Sequence, residues 1–204
     1  EMLQQVMELF NIRADYNLQI MKENQTLSMI TSDILNGLDF VLEREQPDMV
    51  LVHGDTSSSF AGALAAFYHQ IPIGHIEAGL RTYNMKSPYP EEFNRQAVDL
   101  ITDIYFAPTE LAKRQLLKEG KDENKIFVTG NTVIDALKTT VSDKYHNEIL
   151  DWCKDSKLIL LTAHRRENIG VPMQHIFEAV KRIVTDYKEV KVIYPIHKNP
   201  KVRS

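Results

Sequence analysis

Pro47-Asp48-Met49-Val50-Leu51-Val52-His53-Gly54-Asp55-Thr56-Ser57-Ser58 is the stretch on which the fold turns. Proline has no N–H to give an ongoing helix, so Pro47 ends whatever precedes it. Met49 to Val52 is an unbroken apolar run of strand length, the kind buried on both faces of a parallel sheet. Gly54 then eases a turn, and Asp55 or Thr56 stands where a helix needs an N-cap. Strand, turn and helix in this order open an α/β unit.

Upstream, Leu27, Ile30, Ile34, Leu38, Val41 and Leu42 form one apolar stripe and predict a helix over 27–45. Met2, Leu3, Val6, Met7 and Phe10 form another at helical spacing, with no capping signal ahead of it. Downstream the alternation repeats: helix 58–69, strand 71–76, helix 92–100, strand 104–107, helix 109–119, strand 125–129 and helix 133–141. A polar stretch to Asp155 precedes strand 158–161, helix 173–187 and strand 190–194. Such alternation requires right-handed crossovers and predicts an α/β fold with doubly wound parallel sheets. Gly130-Asn131 marks the expected domain boundary, dividing 1–130 from 131–204. Two strands and two helices do not complete a sheet of this type, so the chain is expected to be a fragment cut at both ends.

With 204 residues, 43% of them hydrophobic, the chain can bury a substantial core. A formal net charge of −4 gives no broad attraction for nucleic acid, so an anionic ligand would need local groups. One cysteine, Cys153, excludes an internal disulfide and a Cys-rich zinc site, and suits a reducing compartment. No apolar run reaches the roughly 20 residues of a membrane helix, and no signal pattern opens the chain. The expectation is a cytoplasmic protein with neither a membrane nor a nucleic-acid partner.

Ligands of open parallel sheets lie beyond the carboxyl ends of the strands. His53-Gly54-Asp55-Thr56, Glu77-Ala78-Gly79-Leu80-Arg81-Thr82, His164-Arg165-Arg166-Glu167-Asn168 and Pro195-Ile196-His197-Lys198 all follow predicted strands. Asp55 is equally well explained as part of a helix cap. Glu77, placed directly at a strand end, is costly unless solvated or paired, which favours acid–base work. Ser87-Pro88-Tyr89-Pro90-Glu91-Glu92 is stiffened by two prolines before a helix, where one acid would complement the helix dipole. Were Asp55, Glu77 and Glu91 to share a cleft, mutual repulsion would leave at least one protonated at neutral pH, giving an acid beside a base. His164 and Arg165, opening a strand-to-helix turn, suit a phosphate or pyrophosphate, and His197 has the same positional argument with less support. His53 and His75 read as core or supporting residues, and His69, His146 and His175 as surface ones. No Walker or dinucleotide glycine loop, nucleophile elbow or metal spacing is present in the sequence.

Five ordered segments carry a further signal: Leu51-Val52-His53-Gly54-Asp55-Thr56, His75-Ile76-Glu77-Ala78-Gly79-Leu80-Arg81-Thr82, Ser87 to Arg95, Phe127-Val128-Thr129-Gly130-Asn131-Thr132-Val133-Ile134-Asp135-Ala136-Leu137, and Thr162 to Asn168. Through them the chain resembles the non-hydrolysing bacterial UDP-N-acetylglucosamine 2-epimerases. The resemblance implies a glycosyltransferase-B-like architecture of two Rossmann-like domains with the active site between them. Residues 1–130 would be most of the N-terminal domain without its first strand and helix. Residues 131–204 would be a connecting helix and the first part of the UDP-binding domain. It implies interconversion of UDP-GlcNAc and UDP-ManNAc through 2-acetamidoglucal and UDP, with no cofactor and no metal. Asp55, Glu77 and Glu91 match the catalytic carboxylates, and His164 the residue that stabilises the departing diphosphate. Arg165 joins His164 in substrate binding. Gln25, Glu91, Arg165 and His197 match positions contacting a second, activating UDP-GlcNAc. A homodimer supplying ManNAc units to surface polysaccharides is implied likewise. The family's opening Gly-Thr-Arg-Pro-Glu segment and later Asp-Ser-Gly-Gly…Glu-Glu segment are absent, so this polypeptide alone is expected to be inactive. A glycosyltransferase of the same fold and a hydrolysing epimerase that releases ManNAc are the alternatives; three carboxylates would be surplus to the first.

Overall fold

A computed structural model describes residues 2–163 and 169–196. It contains two compact units, Glu1–Thr140 and Val141–Ser204.

In the first unit, α1 (Met2–Leu9) and α2 (Leu27–Glu45) precede β1 (Val50–His53). Then follow α3 (Ser57–Tyr68), β2 (Ile73–Ile76), α4 (Glu91–Ile101), β3 (Ile104–Ala107), α5 (Glu110–Lys118), a 3-10 turn, β4 (Ile126–Val128) and α6 (Thr132–Thr140). The strands pair in the order β1-β2-β3-β4, all parallel. Strand order thus follows chain order, and the described residues hold no reversal of winding. Register aligns Val52 with His75, His75 with Tyr105 and Tyr105 with Ile126 across one face. That face is buried. Val52, Ile73 and Val98 pack with Ala63 and Ala66, while Tyr105, Ala107 and Ile126 pack with Ala112 and Leu116. The opposite face is open among the described residues, with Leu51 57% and Phe127 50% exposed.

Small side chains set how tightly α3 sits. Ser59, Ala61, Gly62, Ala63, Ala65 and Ala66 are all buried along it, which lets it contact α2, α4 and β1 together. A run of alanines retains helix propensity while allowing this close approach. Its start is fixed by Thr56, whose Oγ1 accepts from the Ser59 N–H at 3.1 Å. Thr26 and Thr109 cap α2 and α5 in the same way.

The second unit has α7 (Glu148–Cys153), β5 (Lys157–Leu160), α8 (Val171–Asp186) and β6 (Val190–Ile193), with β5 and β6 parallel. Helix α7 falls in the stretch to Asp155 that reads only as polar. It is only six residues long, too short to show a periodic stripe. Lys191 Nζ lies 4.4 Å from the centroid of the Trp152 ring and donates to the Trp152 carbonyl. Among the described residues no helix is long and apolar enough to cross a membrane.

Candidate active site

Two strand ends and one helix start build the site. Gly54 follows β1 with a φ of +70°, a conformation open to glycine at little cost. It turns the chain so that Asp55 stands above the sheet just before the Thr56 cap. Glu77 follows β2 and holds a φ of +71°. A non-glycine residue there is strained and persists only where its surroundings enforce it. Here the enforcement is visible. The N–H groups of Glu77 and Ala78 both donate to the Phe106 carbonyl, at 3.0 and 3.2 Å, and Gly79 takes a φ of +84° immediately after.

The carboxylates have different partners. Asp55 Oδ2 lies 2.8 Å from Arg95 Nη2, and the Asp55 carbonyl accepts from Asn94 Nδ2 at 2.9 Å. Glu77 Oε1 accepts from Asn131 Nδ2 at 3.1 Å, and its Oε2 stands 3.7 Å from His53 Nε2. Glu91 sits in the first turn of α4, where the helix dipole favours negative charge. Glu77 and Glu91 lie close enough for their charges to act on Asp55. Burial pushes the Asp55 carboxyl up, Arg95 opposes this, and the charges of Glu91 and Glu77 push it further up; the net shift is upward. Chemically, this arrangement can hold a proton on one carboxyl while a neighbour stays ionised.

Arg95 is itself held from behind. Glu92 is fully buried. Its carboxylate accepts from the backbone N–H of Thr82 and Tyr83 at 3.0 and 2.8 Å and from Gln96 Nε2 at 2.7 Å. Arg95 Nε lies 3.4 Å away. Burial works against ionisation of Glu92, but the bonds from Gln96, Thr82 and Tyr83 outweigh it and hold the carboxyl below its ordinary range.

Beneath the loops is a second charged group. His75 is fully buried on β2, with Nδ1 2.6 Å from Asp99 Oδ1 and Nε2 donating to the Gly54 carbonyl at 2.9 Å. Asp99 Oδ2 accepts from the Gly79 N–H at 3.1 Å and from Arg81 Nη2 at 2.7 Å. Arg81 also forms a two-pronged pair with Glu119 at 2.8 and 2.7 Å.

The family model described as UDP-N-acetylglucosamine 2-epimerase matches residues 1–204. The chain belongs to the UDP-N-acetylglucosamine 2-epimerase family. It is 58% identical to the Bacillus subtilis (strain 168) UDP-N-acetylglucosamine 2-epimerase over 203 residues, which is 100% of this chain and 53% of that protein. Among solved structures it is similar to the S. aureus MnaA–UDP co-structure, with a TM-score of 0.94 and 56% identity over 100% of this chain and 54% of the other. It is also similar to the Neisseria meningitidis UDP-GlcNAc 2-epimerase bound to UDP-GlcNAc, with a TM-score of 0.91 and 48% identity over 99% and 57% of the two chains. This chain thus spans about half the length of the curated relatives it matches. Its parallel α/β units fit the glycosyltransferase-B-like class to which this epimerase family's sequence pattern points.

Of the expected site residues, Glu77 and Glu91 stand near enough to Asp55 for their charges to reach it. His164, Arg165 and His197 lie outside the described residues. Gln25 is engaged within its own loop, where Oε1 accepts from the Lys22 N–H at 2.7 Å and Nε2 donates to the Ile20 carbonyl at 2.6 Å. His53, read as core or supporting, has a side chain 52% exposed beside Glu77; it follows the last core-facing residue of β1 and so points away from the buried face. His69, read as a surface residue, is half-buried against Asp39 at 2.7 Å. Sequence reasoning missed Asn94, Arg95 and Asn131 as partners of the carboxylates. All three stood inside the motif segments, and a polar side chain one turn beyond Glu91 was the available signal for Asn94 and Arg95. Among the described residues no group of three or more His, Cys, Asp or Glu side chains could hold a metal ion.

Proposed function

We propose that the full-length protein carrying this chain interconverts UDP-GlcNAc and UDP-ManNAc by elimination and re-addition of UDP. A carboxylate removes the C2 proton, and the C2–H electron pair becomes the C1=C2 double bond. The C1–O bond breaks with its pair going to the β-phosphate oxygen, leaving 2-acetamidoglucal and UDP. The phosphate oxygen then returns to C1 while a carboxylic acid delivers a proton to the opposite face of C2. The chemistry needs one proton acceptor and one proton donor across the sugar ring, so carboxyls with separated proton affinities are the required parts.

The observation that carries this reading is the placement of Asp55 and Glu77 just after adjacent parallel strands, with Glu91 opening α4. Burial, together with the charges of Glu91 and Glu77, raises the proton affinity of Asp55. Family membership and the UDP-GlcNAc and UDP complexes of similar proteins support this choice of substrate. His164 and Arg165 are assigned to the diphosphate. Gln25, Glu91, Arg165 and His197 are assigned to a second, activating UDP-GlcNAc. A cytoplasmic homodimer completes the reading, supported by resemblance alone and checked by light scattering of the full-length protein and by cell fractionation. The deciding experiment incubates the full-length enzyme with UDP-GlcNAc in deuterated water. Deuterium at C2 of both epimers is expected, and Asp55→Asn, Glu77→Gln and Glu91→Gln should each lower its incorporation by about 10²-fold or more. Epimerisation with no deuterium at C2 would sink the mechanism.

A further inference from the structure

We propose that His75 and Asp99 are positioning residues, a buried pair that ties the loop bearing Asp55 to the loop bearing Glu77. The proposal rests on the reading of those two carboxylates as catalytic.

His75 is 0% and Asp99 1% exposed. Neither can meet a substrate. What they meet is backbone at both loops. His75 Nε2 donates to the Gly54 carbonyl, in the peptide that leads into Asp55, at 2.9 Å. Asp99 Oδ2 accepts from the Gly79 N–H, two residues beyond Glu77, at 3.1 Å. The pair is closed by the 2.6 Å contact between Nδ1 and Oδ1. A continuous chain of hydrogen bonds therefore runs from the first loop to the second, entirely below the site. Its far end is anchored by Arg81, whose fully buried guanidinium joins Asp99 to Glu119. The Asp99 carbonyl is occupied as well, by the Tyr105 hydroxyl at 3.0 Å.

Stability is a poor reason for this arrangement. His75 lies in register with Val52 and Tyr105 on the buried face, a place where an apolar residue would fit without desolvating any charge. Burying an imidazole, a carboxylate and a guanidinium costs several kcal/mol before their attraction is counted, and apolar replacements are often as stable. What apolar residues cannot do is hold two irregular loops in register. Gly54 and Gly79 both have positive φ. Backbone bonds hold part of each loop, Gly54 N–H to the Ile76 carbonyl at 2.9 Å and Glu77 and Ala78 N–H to the Phe106 carbonyl. The pair adds the side-chain link that reaches the Gly54 carbonyl and the Gly79 N–H, which those bonds leave free to turn. A misplacement of about 1 Å between reacting groups costs on the order of 10²-fold in rate.

Both ring nitrogens face acceptors, and this makes a discriminating test possible in the full-length enzyme. In His75→Gln the amide can serve one partner only by turning its oxygen toward the other. In His75→Gln/Asp99→Asn the match returns. The amide nitrogen introduced at position 75 donates to the Gly54 carbonyl, and the oxygen beside it accepts from the amide nitrogen introduced at position 99. The amide oxygen at position 99 still accepts from Gly79 and Arg81. The expected result for H75Q is a kcat for C2 deuterium exchange about 100-fold lower, with KM within threefold of the parent. The double variant should recover to within tenfold of the parent. Hydrogen exchange at the Gly79 amide should quicken in H75Q and slow again in the double variant. A merely structural pair would lower the melting temperature and leave kcat per folded molecule unchanged. The proposal is overturned if H75Q keeps kcat within threefold, or if the folded double variant is no better than 100-fold impaired, the latter deciding alone should H75Q not fold. A parent that exchanges no deuterium at C2 defeats the functional reading instead, and Gly79 amide protection then tests the pair by itself.

Discussion

Arg95 Nη2 lies 2.8 Å from Asp55 Oδ2, and the Arg95 side chain is only 11% exposed. A guanidinium so placed stabilises the ionised carboxylate and fixes its direction, since the planar fork restricts where the oxygen can sit. It counteracts part of what burial, Glu91 and Glu77 do to Asp55. The balance among these four groups sets which carboxyl carries the proton.

Removing the cation should therefore move a measurable limb. In the full-length enzyme, Arg95→Gln takes away the influence that lowers the Asp55 proton affinity. The limb of the kcat/KM profile that Asp55 governs, acidic if it works ionised and alkaline if it works protonated, is expected to move to higher pH, with the plateau about tenfold lower. A profile that keeps both limbs in place would show that Asp55 governs neither.

Asp55 also has a stability consequence with a definite sign. Its folded proton affinity is raised above the ordinary carboxylate value, so the folded state binds the proton more tightly than the unfolded chain. Stability from this group is present below the ordinary carboxylate range and is lost as pH rises toward the raised folded value. Asp55→Asn, which imitates the protonated form, should thus melt higher than the parent at neutral pH, and the gain should vanish at acidic pH. Thermal unfolding at both pH values checks this, and an equal or lower melting temperature at neutral pH would contradict it.

Glu92 has the opposite sign. Its folded carboxyl is held below the ordinary value by its donors. That stability is present above the unfolded value and is lost as pH falls through the ordinary range toward the depressed one. Glu92→Gln turns an amide toward the Thr82, Tyr83 and Gln96 donors and should cost about 2 kcal/mol at neutral pH. Chemical denaturation should show this deficit shrinking in acid.

Gly79→Ala tests the loop that holds Glu77. A Cβ there would lie 2.4 Å from the Ala112 carbonyl oxygen and 2.9 Å from Leu116 Cγ, at a φ of +84°. The new methyl collides with backbone, so α5 has to move. A loss of about 3 kcal/mol is expected from crowding and strain together, read from denaturation midpoints. Gly120→Ala, where the new methyl would meet nothing within 4 Å, is the control for positive φ alone.

Much of the fold was legible because its signals are local. The stripe from Leu27 to Leu42 placed α2 at 27–45, and the apolar run Ile104–Ala107 placed β3, both with the observed bounds. Thr109, heading the helix predicted over 109–119, caps α5, since capping is settled within three residues. Helix α7 escaped, being six residues among polar ones. The start of β2 moved from 71 to 73 because Ile71 and Pro72 are apolar yet only lead into the strand.

The chain's own order thus determined which segments are strands and helices, and that acidic residues stand at strand ends, since both follow from neighbours along the chain. Partner choice is different. Asp55 and Arg95 are forty positions apart, His75 and Asp99 twenty-four, and Glu77 and Asn131 fifty-four. Each pair meets only after the parallel strands, their following loops and the helices packed on them are assembled. Proton affinity, the strained backbone of Glu77 and the buried link between the two loops were decided there, because each depends on distance and desolvation, which only the folded chain defines.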